Sequence, residues 1–270
     1  MPAQRTVFAV LGLMALLLAT FQVSILSDRG AAASRQIAET ATIAYVSLRA
    51  INAALSVAQE IEVGGSLGAS ASARPLKVLE PVDDTIERIA GAIFAIAALS
   101  WILSAAFGPI SLIGLVVLGL ALLASTAPKS WPGVAPLAQA GVRLGLVFAV
   151  LLPLVFTAGA SLGRIGTETL TNEALATLDT VAVRARETVN NEIEADASGD
   201  DEAFLSGVRQ SLSDAFGQVS GLAGAGRYYW DNADVVLDAG FKLIAAFLLQ
   251  TLILPLVMLV LVWRLAGSLR

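Results

Sequence analysis

Apolar residues crowd into four stretches of this chain, and the segments between them repeat apolar positions at helical spacing. Val7 to Leu26, Leu144 to Gly163 and Leu243 to Trp263 carry no charge. Each is close to the roughly 20 residues that a bilayer-spanning helix needs. Ile89 to Ala127 is longer, 39 residues without a charge. Between the first two stretches, Ile37, Ala41, Ala44, Leu48, Ile51, Leu55 and Ala58 follow one another at steps of four and three. A second stripe runs through Ile43, Ala50, Ala54, Val57 and Ile61. Thr171, Leu175, Leu178, Ala182, Ala185 and Val189 repeat the rhythm, and so do Phe204, Val208, Leu212, Ala215, Val219 and Leu222. These spacings put one apolar stripe on each helix, narrow and Ala-rich like the seam of a helical bundle. The expectation is an all-α chain whose packing seam includes Ile37, Leu48, Ile51, Leu55, Leu175, Leu178 and Val189.

Glycine and proline punctuate this pattern. Gly64-Gly65, Gly68 and the Ser/Ala run after them predict a turn, as does the polar run Asp196 to Asp201. Gly108, Pro109 and Pro255 are candidate hinges, because proline removes one helical hydrogen bond and crowds the preceding turn. Val7 to Leu11 recurs as Val147 to Leu151, and Pro109 corresponds roughly to Pro255, an order of elements that suggests a parallel internal duplication.

Charge orients the helices. Of 22 acidic residues, eight lie between Asp28 and Glu87 and fourteen between Glu168 and Asp238. The remaining polar pieces carry only Arg5, Lys129, Arg143, Arg264 and Arg270. Basic residues favour the cytoplasmic side. Both termini and the 128–143 loop are therefore expected in the cytoplasm, with the acidic segments outside. This needs an odd number of crossings between Glu87 and Pro128, so residues 89–127 form one long, kinked or partly re-entrant element rather than a hairpin.

The expected plan is a polytopic membrane protein with four transmembrane helices and two helical extracytoplasmic segments. Residues 1–26 hold the N-terminal tail and first helix, read as an uncleaved anchor rather than a signal peptide. Residues 27–88 form the first external segment, continuing the first helix outward. Residues 89–127 cross, 128–143 loop back, 144–163 cross, 164–242 form the second external segment, and 243–270 are the last helix and tail. The expected location is the plasma (inner) membrane. Trp131 and Trp263 fall at the cytoplasmic interface, and Tyr228, Tyr229 and Trp230 just outside the last helix, where amphipathic rings settle.

Composition agrees: 56% of residues are hydrophobic and 14% charged, with mean hydropathy +0.76. Soluble domains carry about 25% charged residues. The chain has no Cys and no His, which excludes disulfides, thiol catalysis and histidine bases. No membrane segment holds a charge in its core. Ser100, Ser104, Ser111, Thr157 and Gln250 are the candidate polar groups, either lining a pore or bonding between helices. Asp196, Ser198, Asp200, Asp201 and Glu202 cluster at the second external turn, but Gly199 stands in the wrong place for a calcium-binding loop. No lysine-bearing phosphate loop occurs.

These features lead to the expectation of a non-catalytic membrane scaffold or accessory subunit without catalytic residues, metal or cofactor. It would assemble with itself or with a membrane-protein partner, in lipid and without nucleic acid. The alternative is an oligomeric channel or pore.

Overall fold

The computed structural model describes residues 2–21, 25–64, 80–127, 131, 133–196 and 232–268. The expected turn after Gly64, the stripe Phe204–Leu222, the acidic cluster beyond Asp196 and the Tyr228–Trp230 belt lie outside them. The side chains of Val57, Ala58, Ile61, Ala185 and Val189 do so too.

Among the described residues the fold is helical, without strands. In chain order the helices are α1 (Pro2–Thr20), α2 (Ile25–Gly64), α3 (Glu80–Ala124), α4 (Val134–Leu146), α5 (Leu152–Asp196), α6 (Ala233–Leu248) and α7 (Leu254–Ser268). A π-helical turn, Val147–Leu151, joins α4 to α5, and a second, Leu249–Ile253, joins α6 to α7.

Three helical stretches are long and apolar enough to cross a membrane: Pro81–Ala124, Val134–Arg184 and Ala233–Leu265. The pair α1 and α2 makes a fourth when taken together, but they are bent by 42°. The first helix thus ends at Thr20 instead of running straight outward. The Thr20 hydroxyl donates to Leu17 O at that end. Helical structure then begins at Val134, ahead of the expected start at Leu144. Pro136 fits that first turn, because the first four N–H groups of a helix have no acceptor within it. The 45 residues of α3 extend about 68 Å at 1.5 Å per residue, more than twice the hydrocarbon thickness of about 30 Å.

The chain divides into two compact units. The first comprises Met1–Thr40, Ile96–Thr167 and Ala246–Arg270. Here α3 and α4 run antiparallel. Leu118 meets Gly145, and Ala121 meets Gly141. Phe107 of α3 lies against Gly30 of α2 and meets Phe156 of α5 in a tilted ring pair, with centroids 5.0 Å apart. Large apolar side chains line the outside, among them Val10 and Leu17 of α1 and Leu256, Val260 and Trp263 of α7. Such a surface suits lipid, whereas soluble monomers rarely expose large contiguous apolar patches.

The second unit comprises Ala41–Ala95 and Glu168–Ala245. Its core is the seam read from the sequence: Ala41, Ala44, Leu48, Ile51 and Leu55 of α2 are at most 1% exposed. Ile86, Ile89 and Ile93 of α3, Leu178 of α5, and Val236 and Leu243 of α6 are buried in the same unit. Gly240 of α6 rests on Ile89, and Tyr45 packs on Phe94 with centroids 5.3 Å apart. Leu175 is half-buried. Ile37, the first residue of the seam, is buried in the first unit. On the second stripe of α2, Ala54 is buried and Ala50 half-buried, while Ile43 is 61% exposed. A helix buries only about one such stripe when its partners lie on one side.

Candidate functional site

Among the described residues, two π-helical turns interrupt the helical stretches that are long and apolar enough to cross a membrane, and both lie in the first unit. Each ends one residue before a Leu-Pro pair: Leu152-Pro153 after the first, Leu254-Pro255 after the second. The Leu152 N–H bonds to Val147 O, and the Leu254 N–H to Leu249 O, each reaching back five residues instead of four. Proline explains the widening. Its ring crowds the carbonyl four residues back, and an extra residue in the turn relieves that crowding.

The consequence falls on two carbonyls in each turn. In a regular helix Gln250 O would accept from Leu254 N–H, which is here committed to Leu249 O. Thr251 O would accept from residue 255, a proline without an N–H. Phe148 O and Ala149 O stand in the same position relative to Leu152 and Pro153.

Each widened turn is approached by glycine from a neighbouring helix. A Cβ on Gly114 of α3 would come within 2.5 Å of Ala149 N and 2.9 Å of Phe148 C. A Cβ on Gly159 of α5 would come within 2.7 Å of Pro255 N, and one on Gly163 within 2.9 Å of Gln250 Cα. Main chain therefore meets main chain, which small residues permit between membrane helices. Gly159 and Gly163, with Thr167 one turn further, form a close-packed face of α5.

The two turns differ in their side chains. The first carries Phe148 and Ala149 where the second carries Gln250 and Thr251. Gln250 is 6% exposed, and its Nε2 donates to Thr167 Oγ1 at 2.8 Å. Thr167 in turn donates to Gly163 O at 2.9 Å. Thr251 is 5% exposed, and its hydroxyl has no partner.

The other polar residues singled out from the sequence are scattered along the unit. Ser104 donates to Ala31 O of α2 at 3.0 Å. Thr157 donates to Pro153 O of its own helix at 2.7 Å. Ser100 and Ser111 are fully buried, and the Ser100 hydroxyl has no partner. The helix runs unbroken through Gly108 and Pro109, so that expected hinge carries no π-helical turn. The structural counterpart of Pro255 is Pro153, not Pro109. Sequence reasoning passed over Pro153, Gly114, Gly159 and Gly163. The repeated Leu-Pro-Leu-Val at 152–155 and 254–257 was the available signal.

Among the described residues no three Asp or Glu side chains converge as metal ligands. The chemistry offered at the second turn is therefore that of neutral oxygen: two carbonyls, a hydroxyl and an amide. Comparison with protein-family models, with curated proteins and with solved structures finds no match to this chain.

Proposed function

We propose that this chain is a non-catalytic integral membrane scaffold or accessory subunit that assembles through its helical extracytoplasmic segments. In this reading both termini and the 128–143 loop are cytoplasmic, the acidic segments face outward, and the membrane is the plasma (inner) membrane. The observation that carries it is how the intramembrane polar groups are used. Gln250 and Ser104 bond to neighbouring helices, and Ser100 and Ser111 are fully buried. Such bonds hold bundles together, at about 1 kcal/mol each. The partner is a second copy or another membrane protein.

The widened turns favour one second reading, an oligomeric channel that opens by flexing at Pro255. The two are separated by particle images of the detergent-purified protein together with conductance across planar bilayers. The scaffold reading expects a discrete assembly with a closed centre and no unitary currents, and assembly intact in Pro255→Ala. Reproducible unitary currents from the parent, altered by Pro255→Ala, overturn it in favour of the channel.

A further inference from the structure

Six threonines of these helices share one bond, and two buried ones, Thr171 and Thr251, lack it. Thr40, Thr85, Thr157, Thr167, Thr177 and Thr180 each donate to the carbonyl four residues back, at 2.6–2.9 Å. That bond is the usual resort of a hydroxyl inside a helix. Thr251 is 95% buried and makes no hydrogen bond. It stands in the turn where Gln250 O and Thr251 O have both lost their regular donors. Leu252 and Ile253 of the same turn are 51% and 45% exposed, so its inward side is the Gln250–Thr251 side.

We propose that the Leu249–Ile253 turn is a binding site for a dehydrated monovalent alkali cation, Na⁺ or K⁺, held by Gln250 O, Thr251 O and Thr251 Oγ1. The set is made of oxygens, Thr251 Oγ1 among them without a hydrogen-bond partner, and oxygen lone pairs suit a cation rather than an anion. No carboxylate belongs to the set, and divalent ions in protein cages draw on carboxylates. Interrupted membrane helices commonly meet alkali cations with freed backbone carbonyls. The first widened turn is an internal contrast. It frees the same two carbonyls, but Phe148 and Ala149 supply no side-chain oxygen. The proposal stands apart from the scaffold reading, since such an ion would brace the α6–α7 junction in a scaffold or a channel alike.

The test uses the purified full chain in detergent, melted in NaCl, KCl and choline chloride at equal ionic strength and followed by tryptophan fluorescence. A ligand that binds only the folded state raises Tm with its concentration. The expected result is a saturable rise of several degrees in NaCl or KCl over choline chloride. Thr251→Val should abolish that rise, and Thr251→Ser should keep it. Identical melting of the parent in all three salts overturns the proposal and assigns these oxygens to water. So does a Thr251→Val protein that keeps the full ion-specific rise. If Thr251→Val does not accumulate, the parent comparison alone decides.

Discussion

Gly159 and Pro255 meet backbone to backbone: a methyl group on Gly159 would lie 2.7 Å from the proline nitrogen and 2.8 Å from its Cα. The contact lies beside the turn that Pro255 widens. A side chain at 159 would force α5 and α7 apart, and Gly163 and Thr167 would lose their seat on Gln250.

Gly159→Ala should therefore lower thermal stability in detergent, by about 1–3 kcal/mol of overpacking. Gly108 and Gly166 provide the contrast, because nothing lies within 4 Å of a Cβ built on either. Gly108→Ala and Gly166→Ala should be neutral or stabilising by up to about 1 kcal/mol, the helix-propensity difference. Equal melting of all three variants would show that α5 and α7 do not approach as closely as described.

The Gln250–Thr167 bond should appear as coupling rather than as a sum. Gln250→Leu and Thr167→Val each remove one partner, and each should cost about 1 kcal/mol. The double variant should lose less than the two losses added, because the second change strands no new partner. Strict additivity in denaturation would mean that the bond contributes nothing to stability.

The seam of the second unit predicts a sharp asymmetry between neighbours. Leu48 and Leu178 are fully buried, and Leu48→Asp or Leu178→Asp sets an unpaired charge among apolar groups at a cost of several kcal/mol. Arg49, one residue away, pairs with Glu87 at 3.5 Å across an exposed surface. Exposed pairs contribute about 0–1 kcal/mol, so Arg49→Ala should melt close to the parent. Asp variants that melt and assemble like the parent would remove the seam from the account.

Topology is testable without background labelling, since the parent has no cysteine. Thr180 is exposed on α5, and Gly133 is exposed ahead of α4. Thr180→Cys should react with an impermeant thiol reagent in intact cells, and Gly133→Cys only after lysis. Reaction at Gly133→Cys from outside would reverse the proposed orientation.

Much of this architecture was legible along the chain, for a physical reason. Periodicity and charge are local properties. The steps of four and three that placed Leu48, Ile51 and Leu55 on one stripe of α2 are a consequence of helix geometry alone, and those three residues are buried in the second unit. Uncharged stretches of membrane length are set by bilayer thickness; three of the four lie on helical stretches long and apolar enough to cross, while Val7–Leu26 is divided between α1 and α2. Which glycines and prolines mattered was decided only in three dimensions. Pro109 and Pro255 look alike in sequence, yet one sits in an uninterrupted helix and the other follows a widened turn. Gly108 faces open space, and Gly159 faces the backbone of Pro255. The same holds for hydroxyls: Thr157 satisfies a carbonyl of its own helix, while Thr251 is buried without a partner. A residue's own helix determines which side it occupies, but whether another backbone lies there depends on a helix about a hundred residues distant in sequence, as Gly159 and Pro255 are.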